Sequence, residues 1–330
     1  MQTLRSTLAK ALLLGGLSLA LPAQAQPDTQ PIAAEMAPRA VSSLLTAITP
    51  VGDQRLVVIG AHGDILLSDD AGKSWRQVEV PVNSLLTAVS FVDAQTGWAV
   101  GHDAVILKTT DGGQSWALLQ FEPEQDALLD VMFTDAENGF AIGAYGKLMR
   151  SHDGGTSWED MENEITDEGL HLNKLTRLND GRLLLVGEAG LIAVSSDGGE
   201  TWQRSELDYE GSLFAIQPHG AHGALIAGLR GHVFVSSNAG HADWKPFDVA
   251  EEQSIFSIRP YQQGYLMVGL NSSAQRIDAR GKITTLTLTP QADEAAPAQS
   301  REDAAFADVL VLNDRIITVG DEGVRHWAVR

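Results

Sequence analysis

The 330-residue chain carries 23 basic and 43 acidic residues, which gives a formal net charge of −20. This charge disfavours nucleic acid and anionic lipid as partners, and its electrostatic complement is a cation or a basic patch on a protein. The absence of cysteine excludes disulfides, thiolate metal sites and cysteine nucleophiles.

The first 25 residues have the features of a secretory signal peptide. Arg5 and Lys10 give a basic start, residues 11–21 form an apolar run, and the sequence Ala-Gln-Ala at 23–25 suits a signal peptidase. The apolar run is short for a membrane span. We therefore expect cleavage after Ala25 and a periplasmic or secreted protein; the alternative is that the segment remains as an anchor.

An eight-residue motif then recurs along the chain. It reads SDDAGKSW, TTDGGQSW, SHDGGTSW and SSDGGETW at 68–75, 109–116, 151–158 and 195–202, with a decayed copy at 236–244. Its final tryptophan recurs every 41–44 residues. A short apolar strand that ends in glycine recurs seven times, at Gly60, Gly101, Gly143, Gly187, Gly228, Gly269 and Gly320. Periods of this length indicate a repeat architecture.

Each repeat predicts four short strands. In the second repeat they cover 85–91, 97–101, 104–110 and 115–121, and turn residues separate them. No part of the chain after the signal peptide shows convincing helical periodicity. Seven such units predict an all-β fold, a seven-bladed β-propeller of four-stranded antiparallel blades. We assign residues 26–31 to a linker and 32–330 to a single propeller domain.

The last repeat, 306–330, supplies only three strands. We expect residues 32–40 to add the outer strand of this blade, because joining both termini in one blade removes a free sheet edge. Residues 290–305, which are rich in Ala, Gln, Asp and Glu, are predicted to form an insertion loop.

Turn geometry explains every part of the repeated motif. The Asp side chain accepts hydrogen bonds from nearby backbone N–H groups, Gly adopts a positive φ, and Trp begins the next strand with a buried ring. A catalytic or metal site would require the copies to converge, whereas a propeller spreads them around its rim. A structural role is therefore assigned to Asp70, Asp111, Asp153, Asp197, Trp75, Trp116, Trp158 and Trp202.

The pattern resembles the Asp-box or BNR repeat, and it is most similar to the photosystem II stability/assembly factor-like propellers. The resemblance rests on Phe91, Asp93, Gly97, Trp98, Val100, Gly101, Ile106, Thr110, Asp111, Gly112, Gly113, Ser115 and Trp116, and residues 133–155 repeat it. It implies a seven-bladed, non-enzymatic assembly or stability factor. For exported bacterial members it implies service to a membrane transporter or envelope complex.

The loops suggest which face of the ring is functional. Loops between the second and third strands should share a face with the blade-to-blade loops, and the Asp turns should lie on the other face. The blade-to-blade loops at 121–127, 162–171, 206–211, 248–254 and 289–305 hold 17 acidic residues and one basic residue. We predict that this face binds a protein with a basic patch, or cations; the alternative is that acidic loops only maintain solubility. The candidate residues are Glu122, Glu124, Asp126, Asp167, Glu168, Asp208, Glu210, Glu251, Glu252, His62, Asp64, His102, Asp103, Glu188, Arg230 and Asp321.

No catalytic residue, metal site or cofactor is predicted. The Arg-Ile-Pro signature of sialidases is absent, and so is the G-x-S-x-G elbow of serine hydrolases. We predict a monomeric, non-enzymatic scaffold for a membrane transport or envelope complex, with no nucleic acid partner and no direct membrane insertion. The alternative is a glycan-binding or glycoside-hydrolysing Asp-box propeller, since two carboxylates facing a cleft suffice for that chemistry.

Overall fold

The computed structural model describes residues 30–248, 251–291, 304–313 and 315–328. The signal peptide predicted at 1–25, most of the linker at 26–31 and residues 292–303 of the predicted insertion lie outside the described residues. The chain from Pro31 to Arg330 forms one compact unit. No helix within the described ranges is long and apolar enough to cross a membrane.

The short apolar segments form seven four-stranded antiparallel sheets, which confirms the seven-bladed propeller. Blade one contains β1 (Leu45–Val51), β2 (Arg55–Gly60), β3 (Ile65–Ser68) and β4 (Arg76–Gln77). Blade two contains β5 (Leu86–Phe91), β6 (Gly97–Gly101), β7 (Ile106–Thr109) and β8 (Ala117–Gln120). Blade three contains β9 (Leu128–Phe133), β10 (Gly139–Gly143), β11 (Leu148–Ser151) and β12 (Glu159–Asp160). Blade four contains β13 (Leu172–Arg177), β14 (Leu183–Gly187), β15 (Ile192–Ser195) and β16 (Gln203–Arg204).

The remaining blades follow the same plan, with one change in the last. Blade five contains β17 (Leu213–His219), β18 (Gly223–Gly228), β19 (Val233–Ser236) and β20 (Lys245–Pro246). Blade six contains β21 (Ile255–Tyr261), β22 (Gly264–Gly269), β23 (Ala274–Ile277) and β24 (Ile283–Thr285). Blade seven contains β25 (Thr289–Pro290), β26 (Phe306–Val311), β27 (Arg315–Gly320) and β28 (Arg325–Ala328). Within the described part, the second strands of all seven blades are almost wholly buried, because they have a sheet packed on each side.

The predicted closure of the ring by residues 32–40 is wrong. The outer position of blade seven is taken by β25, whose Thr289 pairs with Ala328, so the fourth strand comes from just before the blade's own inner strand. Residues 32–39 instead follow the outer edge of blade one, where the Ala34 N–H donates to the Val80 carbonyl at 2.9 Å. The pattern of single apolar residues in this segment does not distinguish a strand from an extended edge segment.

One short α-helix, α1 (Glu164–Asp167), departs from the expectation of no helix. Asn163 and Thr166 form a reciprocal capping box at its start, and a local signal of this kind leaves no periodic pattern in so short a helix. Short 3-10 turns also occur, at Ala40–Ser42, Ala61–Gly63, Ala144–Gly146, Glu188–Gly190, Leu229–Gly231 and Leu270–Ser272.

The first strands of the seven blades surround a narrow central channel with a cavity of about 210 Å³. Two buried carboxylates on these first strands join neighbouring blades. Asp130 accepts from Lys174 Nζ at 2.9 Å and from the Leu175 N–H, and Asp308 accepts from Arg259, Ser257 Oγ and the Ile48 N–H. Asp308 therefore connects blades six, seven and one at the point where the ring closes.

Candidate functional site: two faces of the ring

Hydrogen bonds assign the loops to two faces, as the sequence predicted. The turns after the second strands bond to the blade-to-blade segments, with Gly63 N–H to Ser84 O at 3.0 Å and Gly190 N–H to Gly211 O at 2.9 Å. We call this side, with its loops at 121–127, 162–171, 206–211 and 251–254, the acidic face. On the other side the Arg55 guanidinium donates to the Asp111 and Gly112 carbonyls of the next blade. We call that side the Asp-box face.

The repeated motif forms one closed turn in each of the first four blades. In blade two, Asp111 Oδ1 accepts from Thr109 Oγ1 and the Ser115 N–H, and its Oδ2 accepts from Ser115 Oγ at 2.6 Å. These hydrogen bonds lower the pKa of Asp111 despite the opposing effect of burial. The same bonds hold the pKa values of Asp70, Asp153 and Asp197 at about 2. Each carboxylate is thus committed to its own turn.

The glycine and tryptophan of the motif face the preceding blade. Gly113 has φ +86°, and a Cβ there would lie 2.9 Å from Val57 Cγ2. Trp116 packs against Val57 and its neighbours in blade one, and its ring meets Phe91 edge-on. The indole N–H of Trp116 donates to the Gly113 carbonyl at 3.2 Å. Within the described residues, the buried indole nitrogens of Trp75 and Trp202 have no hydrogen-bond partner.

The turns on the acidic face are held in a left-handed conformation. His62, Tyr145 and Arg230 have φ between +52° and +57° and are exposed. The glycine that follows each of them packs tightly, and a Cβ on Gly63 would lie 2.0 Å from the Val82 carbonyl oxygen. The backbone strain in these turns therefore presents one side chain in each of these three blades to solvent at a fixed place. His102 is exposed in the corresponding turn of blade two.

Five of the predicted face carboxylates fasten loops; four of them are buried or half-buried, and Asp321 is exposed but also bonded to a loop. Asp64 is buried, which raises its pKa, and it accepts from Ser43 Oγ and Gln77 Nε2. Asp103 accepts a hydrogen bond from Ser84 Oγ. Glu188 accepts one from the His171 N–H, and Asp321 accepts one from the Ala305 N–H. Glu251 accepts from Ser273 Oγ and Thr285 Oγ1. Sequence alone could not separate these groups from free carboxylates, because both kinds lie in loops.

The other predicted carboxylates are exposed and line one side of the ring. These are Glu122, Glu124, Asp126, Asp167, Glu168, Asp208, Glu210 and Glu252. Glu168 forms an ion pair with Arg204. No group of three or more carboxylate or histidine side chains in the described ranges is arranged to hold a metal ion. The described part of the acidic face therefore presents dispersed negative charge.

Apolar and aromatic side chains on the same side are not among the predicted site residues. Tyr145, Leu229 and Leu270 are exposed in the turns after the second strands. Near blade one, Ile32 and Met36 are each 54% exposed beside a cleft of about 640 Å³, which is lined by Ala33, Glu35, Arg39, His62, Asp64 and Asn83 among others. These residues stand out in the sequence as apolar residues within polar loops. A loop sequence alone, however, does not show which of its side chains are exposed.

The sheet topology and the closed aspartate turns define an Asp-box β-propeller. The chain belongs to the family described as photosynthesis system II assembly factor YCF48, whose model matches residues 67–127 and 115–275. Among solved structures it is similar to "YCF48 bound to D1 peptide", with 16% identity, a TM-score of 0.66, and coverage of 96% of this chain and 100% of that one.

Other solved structures share the fold. YCF48 from Cyanidioschyzon merolae has 17% identity and a TM-score of 0.68, with 87% of this chain and 96% of that chain covered. A streptogramin B lyase has 10% identity and a TM-score of 0.72, with 90% of this chain and 97% of that chain covered. At these identities the likeness shows the fold alone. No protein with a curated description matches the chain significantly.

Proposed function

We propose that the protein is an exported, non-enzymatic scaffold that binds another protein on its acidic face. In this proposal it supports the assembly or stability of a membrane transporter or envelope complex, from the periplasmic side. The observation that carries the proposal is membership of an assembly-factor family, combined with a face that concentrates exposed carboxylates.

The chemistry of the face favours a particular kind of partner. Exposed carboxylates such as Glu122, Glu124 and Asp126 attract basic side chains and accelerate association at low ionic strength. Exposed Tyr145 and Leu229 offer apolar contact on the same face, and aromatic anchors commonly carry much of the energy of an interface. We therefore expect the partner to present a segment with Lys or Arg residues next to apolar residues.

The buried carboxylates give further support for a binding role without chemistry. Asp130 and Asp308 on the first strands form ion pairs with Lys174 and Arg259, and the aspartates of the Asp boxes bond to their own turns. A related propeller of the same family has been solved with a D1 peptide, so a peptide segment is the kind of ligand we expect. The glycan alternative gains no specific support from the arrangement of these side chains.

Affinity capture with matched variants tests the proposal. The wild-type chain, Glu122→Gln/Glu124→Gln and Asp53→Asn/Glu137→Gln would be used to capture detergent-solubilised envelope proteins at low and moderate salt. The two double variants remove the same charge, but Asp53 and Glu137 lie in turns of the Asp-box face. We expect one membrane complex to be enriched by the wild type and by the Asp-box-face variant, and to be reduced severalfold by the acidic-face variant. Equal capture by both double variants would refute the assignment of the face.

Export has its own test. Expression in a bacterium with a periplasm, followed by fractionation and N-terminal sequencing, should give a periplasmic protein that begins at Gln26. A cytoplasmic product that keeps residues 1–25 would contradict the proposed location.

A further inference from the structure

The spaces between neighbouring blades, which we call seams and number by the two blades, are filled by tryptophan at five places. Each tryptophan comes from the turn between the third and fourth strands of the following blade and packs against the preceding one. Seams 7/1, 1/2, 2/3, 3/4 and 4/5 receive Trp75, Trp116, Trp158, Trp202 and Trp244. At seam 6/7, Tyr261 and Trp327 pack together with Leu266 and Ile316.

Seam 5/6 has no tryptophan from the following blade. Strand pairing shows which residue stands at the tryptophan position in blade six. Leu67 pairs with Arg76 in blade one, and the equivalent pair in blade six is Arg276 with Thr284. The residue before Thr284 is Ile283, which therefore stands where blade one has Trp75. The turn of blade six is also one residue shorter than the Asp box, and Ile277 stands in place of the motif's first hydroxyl residue.

The walls of seam 5/6 still match the walls that enclose a tryptophan elsewhere. The pair Leu225 and Val235 occupies the register positions of Val57 and Leu67. Phe247 donates its N–H to the third strand's Val233, as Val78 does to Ile65. In seam 1/2 those three positions pack with Trp116 in one apolar cluster.

A cavity of about 520 Å³ lies in this seam and opens on the Asp-box face. Leu225, Val235, Phe247 and Ile277 form its apolar lining, and Ile283 packs in the same cluster without filling it. At its polar edge His219 Nδ1 and the Tyr265 hydroxyl are 2.7 Å apart. Burial raises the pKa of Tyr265, so the hydroxyl stays protonated and can hydrogen-bond to a polar group. Gln217, Gln262, Gln263 and Asp278 add polar lining, so the cavity combines an apolar wall with several polar groups. Its volume lies in the range of ligand sites.

We propose that the seam 5/6 cavity is a binding site for an aromatic ring with a polar edge, of the kind carried by a tryptophan side chain of another polypeptide. The ring would occupy the place that the protein's own tryptophan occupies at the other seams. Its N–H would meet the polar edge formed by His219 and Tyr265. This site is on the opposite side from the acidic face and does not depend on the function proposed for that face.

Ligand-observed NMR titration tests the site. The probe is N-acetyl-tryptophanamide, with N-acetyl-leucinamide as the control for general hydrophobic binding and free indole as a second aromatic probe. A fragment of this size in one pocket should bind with a dissociation constant on the order of 0.1–1 mM. If N-acetyl-tryptophanamide binds with a much lower dissociation constant than indole, the natural ligand is favoured to be a polypeptide. Equal dissociation constants would favour a free aromatic molecule, and both results support the site.

Variants of the seam decide the result. Ile283→Trp restores the missing plug and should weaken binding of the probe at least tenfold, whereas Ile283→Leu keeps the volume and should bind as the wild type does. If Ile283→Trp does not fold by circular dichroism, Val235→Phe narrows the same cavity from the other wall and should also weaken binding. The proposal is overturned if the tryptophan probe binds no better than the leucine probe, or if a folded cavity-filling variant binds like the wild type.

Discussion

Asp111 and Glu124 illustrate how differently the two faces use the same chemical group. Asp111, on the Asp-box face, accepts three hydrogen bonds from Thr109 and Ser115 within its own turn. Glu124, on the acidic face, is exposed in a blade-to-blade loop. The motif that looks most like an active site is therefore a fastener for the turn, and the unpatterned loop carboxylates are the ones available to a partner. Substitutions on the two faces should have opposite effects on stability and on binding.

The largest effect is expected from Trp116→Ala. Removing this buried ring leaves a cavity in seam 1/2, which should lower the free energy of unfolding by about 3–5 kcal/mol. Urea unfolding at pH 7 measures the change. Glu124→Ala is the comparison and should alter the free energy of unfolding by no more than about 0.5 kcal/mol. A similar loss in both variants would remove the distinction between the faces.

Asp111→Ala should have the next largest effect. The substitution strands the Ser115 N–H and two hydroxyl groups that now bond to a carboxylate, at a cost of about 2 kcal/mol of stability. Asp111→Asn should lose less, because its amide oxygen can still accept from the Ser115 N–H. If the alanine variant unfolds at the same urea concentration as the wild type, the turn does not depend on its aspartate.

Acid should destabilise the fold through the Asp boxes. Hydrogen bonds hold the pKa of Asp70 at about 2, below the ordinary value of 3.8. The group's contribution to stability is therefore complete above about pH 4 and is lost as the pH falls from 4 to 2. Urea midpoints measured at pH 7, 4, 3 and 2 should fall mainly below pH 4, and Asp70→Asn should flatten that fall. An unchanged pH profile in the variant would contradict the assignment.

Glu251 and Glu252 should differ although they are adjacent on the acidic face. Glu251 bonds to Ser273 and Thr285, so Glu251→Gln should cost up to about 1 kcal/mol of stability. Glu252 is exposed, and Glu252→Gln should leave the urea midpoint unchanged while weakening capture of the partner. A larger loss of stability in Glu252→Gln than in Glu251→Gln would contradict this assignment of the anchoring and exposed carboxylates.

The sequence predicted the features that depend on local chemistry repeated many times. The four strands of blade two differ from their predicted bounds by at most two residues at each end, because turn residues mark them clearly. The Asp boxes and the assignment of loops to two faces follow from the same repetition. Closure by β25 and the helix α1 were missed, since each occurs once and depends on a short local segment.

The candidate site was predictable only in part. Sequence showed that the loops are acidic, but it could not show that Asp64 and Asp103 bond to Ser43 and Ser84 across a loop junction. The cavity of seam 5/6 was also missed. The sequence does show that the repeated motif is lost around Ile283. This loss indicates a cavity only once the strand register shows that tryptophan fills the equivalent space at the other seams.

Site-specific photocrosslinking tests the central claim most directly. A photoreactive amino acid would be placed at position 124 on the acidic face or at position 137 on the Asp-box face, and the cells irradiated. We predict a crosslink from position 124 to one component of an envelope complex, with none from position 137 to that component. Crosslinks from position 137 alone, or none from position 124, would contradict the account.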